Sequence, residues 1–193
     1  MNTFIRSMLS GISIALGSAI YMKVGGTVGA VMFTFGLLTV IQFRLPLYTG
    51  TAGFLNVRSG GEWANMGVIL LGNIAGCFLA SFLFTEPLYH EAATRIIQIR
   101  IDAGYLNCLI RSTGCGLIIT LIVKAARDKS ILLTLFGIPL FILLGFYHSI
   151  ADAAYLMFVT GDTILHYLPC YALIVLGNFI GCNLPRVFRY TDT

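Results

Sequence analysis

The chain has 193 residues, of which 58% are hydrophobic and only 10% charged, and its formal net charge is +4. Charged residues make up roughly a quarter of an ordinary soluble domain, so the composition excludes one and indicates an integral membrane protein. At about 20 residues per span, the length accommodates six membrane helices and leaves no room for a separate catalytic or nucleotide-binding module.

The chain reads in order as apolar segments separated by short polar breaks. Span 1 runs from about Phe4 to Met22, with Gly25-Gly26 as the turn after it. No small-residue cleavage site follows it, so it is expected to stay as a span. Span 2 begins near Thr27 and is apolar to Phe43, where Arg44-Leu45-Pro46-Leu47-Tyr48-Thr49-Gly50 interrupts it. Proline removes a backbone donor and clashes with the preceding turn, so the chain should leave the helix here. Irregular backbone at membrane depth survives only where it is buried in protein or lines a cavity. A short piece from Thr51 to Val57 is expected to complete the crossing. Span 3 covers Trp63 to about Phe84 and ends at Glu86-Pro87. The connector 88–102 holds Arg95 and Arg100 and is too mixed to span, so it reads as an interfacial helix. Span 4 occupies roughly Ala103 to Val123, span 5 runs from Ser130 to Val159 with a break from Phe146 to Asp152, and span 6 runs from Leu165 to Leu184.

The two halves repeat. Ile5-Arg6-Ser7 with Gly11 returns as Ile110-Arg111-Ser112 with Gly116, an offset of 105, and Leu71-Gly72-Asn73 with Gly76-Cys77 returns at the same offset as Leu176-Gly177-Asn178 with Gly181-Cys182. Residues 1-193 therefore read as one transmembrane domain with repeats at about 1-87 and 103-193. An odd number of spans per half turns the second copy upside down, the plan of transporters whose sites form at the midplane from interrupted helices. Arg6, Arg58, Lys124, Arg127, Lys129, Arg186 and Arg189 fall on one face, against Lys23, Arg95 and Arg100 on the other, which puts both termini in the cytoplasm. These scattered positives are topology signals, and no nucleic-acid partner is expected.

One stretch carries the chemistry: Gly145-Phe146-Tyr147-His148-Ser149-Ile150-Ala151-Asp152 sets an imidazole, a hydroxyl and a carboxyl group inside an otherwise lipid-compatible segment. An ionisable residue inside a span is costly unless it faces a cavity or a partner, which makes His148 a functional-site candidate. A histidine that only ties two helices together is the competing reading. Cys77, Cys108, Cys115, Cys170 and Cys182 are odd in number and without ligand spacing, so they read as buried small hydrophobes rather than a metal site. With no nucleophile–base pair, metal cluster or phosphate-cradling glycine loop, neither an enzyme nor a cofactor is expected.

These residues resemble the formate/nitrite transporter family, pentameric channels and transporters of small monovalent anions with an aquaporin-like protomer. The family's span 5 motif Gly-Phe-Glu-His-Ser-Ile-Ala-Asn stands here as Gly145 to Asp152, its span 2 loop as Leu47-Tyr48-Thr49-Gly50, and its Gly-Asn signatures as Gly72-Asn73 and Gly177-Asn178. The resemblance implies an all-α membrane protein of six helices in two inverted three-helix repeats, with helices 2 and 5 interrupted. It implies that His148 is the central pore histidine and Thr49 its hydroxyl partner. It also implies an outer apolar constriction at Phe33 and Phe141 and an inner one at Leu37, Leu47 and Tyr48. Ser149 belongs to the same motif, and an outer-vestibule lysine of the family falls near Arg95. Tyr147, Asp152 and Pro46 depart from the family pattern, as does Arg44 where a small residue is usual. An Arg44–Asp152 ion pair would neutralise both added charges, and two charges facing a wet vestibule is the alternative.

The expected function is transport of formate, nitrite or a related weak-acid anion such as hydrosulfide or a short monocarboxylate, with protons as co-substrate. It is expected in a homo-pentamer in the lipid bilayer of the inner membrane. An ion faces a barrier of several kcal/mol in an apolar constriction, whereas its neutral acid pays only a hydrogen-bonding cost of a few kcal/mol. Histidine, with an ordinary pKa of about 6.5, suits proton transfer. An aquaporin-like pore for neutral solutes and a non-transporting membrane scaffold are the alternatives.

Overall fold

The computed structural model describes residues 2–56, 58–128 and 130–187. Val57, Lys129 and Arg189, used above to place a helix end and to count charges, lie outside them. The described residues form eight helices: α1 (Thr3–Val24), α2 (Gly26–Gln42), α3 (Tyr48–Ala52), α4 (Gly60–Ser81), α5 (Pro87–Arg127), α6 (Leu132–Leu143), α7 (Ser149–Leu156) and α8 (Asp162–Val187). By length and composition α1, α4, α5 and α8 can each cross a membrane, while α2 and α6 are shorter apolar helices. Large apolar side chains such as Phe136 and Leu106 stay exposed, at 73% and 70%, on outward faces that lipid would cover.

Local chemistry sets the boundaries. Asn2 accepts the Phe4 N–H at 3.1 Å and caps α1. Gly25 and Gly26, with φ of 65° and 54°, turn the chain into α2 in a conformation that costs glycine little. Pro87 stands at the start of α5, where its missing N–H goes unneeded.

Both expected interruptions are present, shifted toward the N-terminus. The non-helical residues are 43–47 and 144–148, and helix resumes at Tyr48 and Ser149. The short piece expected at Thr51 to Val57 is α3, from Tyr48 to Ala52. The reason is the same at both places. The Asn73 carboxamide accepts the Tyr48 N–H at 2.9 Å, and that of Asn178 accepts the Ser149 N–H at 2.8 Å, so each short helix has a donor satisfied from its first residue.

Those asparagines anchor a repeated frame. Asn73 also donates to the carbonyls of Ser7 and Pro46, and Asn178 to those of Ser112 and Tyr147. Close backbone approach makes this possible. A Cβ at Gly11 would sit 2.0 Å from the Asn73 carbonyl oxygen, and one at Gly116 2.2 Å from that of Asn178. Arginine side chains close each break in the same way, Arg6 donating to the Arg44 carbonyl and Arg111 to that of Gly145. The halves interlock, since α3 packs against α5 and α8 while α7 packs against α1 and α4.

The connector is helical, as expected, but is built into the protein. Its Tyr89, Ala93 and Ile97 are buried at 4%, 0% and 0% on one helical stripe, and Arg100 continues that stripe inward. Gly104, at φ 81°, breaks α5 just after it. Arg100 is therefore an interior charge, and the sparser face of the topology count loses one of its three members.

Candidate functional site

The two breaks meet at a buried hydroxyl–imidazole contact. Thr49 Oγ1, in the first turn of α3, lies 3.0 Å from His148 Nε2, and both residues are buried. His148 is also the N-cap of α7, and its Nδ1 accepts the Ala151 N–H at 3.2 Å. A ring nitrogen that accepts a backbone N–H cannot carry the proton, so the proton sits on Nε2 and points at Thr49. The imidazole is thereby oriented by its own helix and addressed by the opposite one.

An apolar wall stands on one side of this contact. Phe33 of α2 and Phe141 of α6 meet edge to face with ring centroids 6.3 Å apart, and the Phe141 centroid lies 6.1 Å from that of His148. All three line a cavity of about 240 Å3 together with Arg100, Arg111 and Tyr147. Leu37, one turn along α2 from Phe33, is buried at 2%, and Leu47 at 1% is the N-cap of α3. The Tyr48 hydroxyl donates to the Val175 carbonyl at 3.2 Å. Ser149 is fully buried and uses its backbone N–H on Asn178, leaving its hydroxyl without a partner among the described residues.

Two expectations about charge are corrected. Arg44 and Asp152 do not pair: Asp152 is fully buried, its Oδ1 lying 2.6 Å from Arg100 Nε and accepting the Tyr167 hydroxyl at 2.8 Å. Asp152 does not face a wet vestibule either, because a carboxylate this deep requires a counter-ion and Arg100 supplies it. Arg44 is exposed at a φ of 49°, the only non-glycine with positive φ among the described residues; its carbonyl accepts from Arg6 and its N–H donates to the Ile41 carbonyl at 3.1 Å. Arg95 is also exposed, lining a shallow groove with His90 and Asp102. The cations that reach the His148 cavity are Arg100 and Arg111.

Sequence reasoning missed those two. Arg100 sits 4.6 Å from the centroid of Tyr147 and 5.4 Å from that of Tyr155, while Arg111 lies 5.8 Å from that of Tyr147. A signal for Arg100 was present, since residues 89, 93, 97 and 100 share one helix face. Arg111 had a weaker one, its repeat with Arg6.

A helical fold with lipid-suited outer faces, in which two broken helices meet at a buried imidazole beside a pair of phenylalanines, fits a channel or transporter class of protein. A family model of formate/nitrite transporters matches residues 1–187. The chain belongs to the formate/nitrite transporter family, whose members are channels and transporters, not enzymes. Among solved structures, a pentameric formate channel with formate bound superposes with a TM-score of 0.82 at 17% identity, covering 97% of this chain and 94% of that one. An FNT family ion channel superposes with a TM-score of 0.81 at 20% identity, covering 98% and 89%. A search of curated protein sequences gives no match.

Proposed function

We propose that the chain carries small weak-acid anions such as formate or nitrite across the inner membrane, and that a proton handled at His148 lets them cross as the neutral acid. The observation that carries this is the 3.0 Å contact between Thr49 Oγ1 and His148 Nε2, made between the two short helices and beside the Phe33–Phe141 pair. An anion passing bare between two phenylalanines would lose its hydration at a cost of several kcal/mol. Protonation removes most of that cost. The Nε2–H donates to the Thr49 hydroxyl, whose own proton is then free to be donated in a hydrogen bond to an anion oxygen, so the pair holds the anion while a proton from the external solution converts it to the neutral acid and the imidazole stays neutral throughout.

In this reading Phe33 and Phe141 form the outer constriction and Leu37, Leu47 and Tyr48 the inner one. Arg100 and Arg111 draw the anion into the cavity, whereas Asp152 fixes Arg100 and Ser149 belongs to the frame. The protein is six spans in two inverted repeats, α2–α3 and α6–α7 each making one interrupted span. The repeated asparagine clamps and the positively charged loop ends support that topology, with both termini cytoplasmic. The pentameric formate channel it superposes on supports a homo-pentamer.

Flux into proteoliposomes tests the proposal. Formate and nitrite uptake should steepen as the external pH falls, and His148→Phe should abolish that dependence. Uptake of neutral solutes with indifference to pH would instead mark a neutral-solute pore.

A further inference from the structure

The cavity beside His148 carries more positive charge than its own structure balances. Arg100 and Arg111 both line it, yet the only carboxylate paired with either, among the described residues, is Asp152 on Arg100. Arg100 is also fixed by an Nη1 bond of 2.9 Å to the Ile96 carbonyl and by Tyr147 and Tyr155. Arg111 makes one hydrogen bond among the described residues, 3.2 Å from Nη1 to the Gly145 carbonyl. Most of its five donors therefore remain for a ligand, and an immobilised second guanidinium also lies against the Tyr147 ring.

An unbalanced guanidinium in a half-buried, aromatic-walled space is stabilised by an anion that enters. The volume of about 240 Å3 holds a small anion with part of its hydration, water occupying roughly 30 Å3 apiece. The guanidinium fork matches two oxygens held in one plane and offers a spherical ion no such match.

We propose that Arg111 is a selectivity residue that makes this cavity a binding site for planar oxyanions with two acceptor oxygens, such as formate, acetate or nitrite, in preference to chloride. The proposal rests on the anion-transport reading above and adds a preference that reading does not require.

Binding by the full-length protein in detergent tests it, read as the thermal unfolding midpoint titrated with formate, nitrite or chloride at constant ionic strength. In the unsubstituted protein, the half-effect concentration for formate and nitrite should lie about tenfold below that for chloride, the worth of one good charge-assisted hydrogen bond. Arg111→Gln should erase the difference. Arg111→Lys keeps the charge without the fork and should shrink the preference to about twofold, which preserves the test if the glutamine variant does not fold. Each preference is a ratio between anions in one variant, so a change in that variant's own stability cancels. Equal responses to formate and chloride in the unsubstituted protein, or an unchanged preference in both variants, would overturn the proposal. Should pH-dependent formate flux persist beside equal binding, only this inference falls; should the preference stand while flux proves indifferent to pH, the transport mechanism falls instead.

Discussion

The first break, at residues 43–47, and the second, at 144–148, share a scaffold and differ in chemistry. Each is clamped by an asparagine from a long helix, each has a carbonyl held by an arginine, and each leads into a short helix that packs into the other half. Matching the breaks residue by residue, Arg44 stands opposite Gly145, Leu47 opposite His148, and Thr51 opposite Asp152. The N-cap of α3 has no side-chain hydrogen bond, whereas that of α7 is an imidazole which makes one. The same frame stands at both breaks, and the proposed proton chemistry rests on one of them only, with the other contributing a hydroxyl.

Substitutions at matched positions should expose this asymmetry. Asp152→Ala leaves Arg100 buried without its counter-ion and should cost about 3–5 kcal/mol, read as unfolding in detergent. The matched Thr51→Ala removes one hydroxyl bond to the Leu47 carbonyl and should cost about 1 kcal/mol. Comparable losses at the two positions would break the contrast.

The asparagines should behave alike. Asn73→Ala and Asn178→Ala each orphan one backbone N–H and two carbonyls, and each should cost about 2–4 kcal/mol by the same measurement. A much larger effect in one half would show that the frame is not equivalent. Thr49→Val removes the hydroxyl that faces His148 and should lower formate flux about tenfold, the worth of one hydrogen bond in the transition state. It should change stability far less than the asparagine substitutions.

The smallest effect sharpens the comparison from the backbone side. Arg44 holds a φ of 49° that costs a non-glycine residue about 1–2 kcal/mol, and Arg44→Gly should return about 1 kcal/mol, part of the relief being offset by the flexibility gained in the unfolded chain. Gly145→Ala should do the reverse, since its φ is 68° and a Cβ there would lie 2.8 Å from the Arg111 Nη1.

Much of this frame was legible in the sequence because its signals are local. The offset of 105 and the glycine–asparagine pairs reflect backbone approaches that only glycine permits, and the breaks announce themselves through Pro46 in one span and through the polar groups of His148, Ser149 and Asp152 in the other. His148 and Thr49 were legible through the family's motif, and the two lie in contact. The charges were not, because the partner of Asp152 lies in a connector that looks interfacial by composition. Arg100 is mixed in with exposed Gln98 and Ile99, and only the stripe through Tyr89, Ala93 and Ile97 shows that it points inward. Long-range pairing of this kind depends on how α5 is set against α7, which residue spacing does not encode.

The most direct test of the central claim is formate uptake by proteoliposomes at an acidic and a neutral external pH, with and without His148→Phe. The account predicts uptake that rises steeply on acidification in the unsubstituted protein and loses that rise in the variant while its unfolding remains cooperative. Equal pH dependence in the two proteins would contradict it.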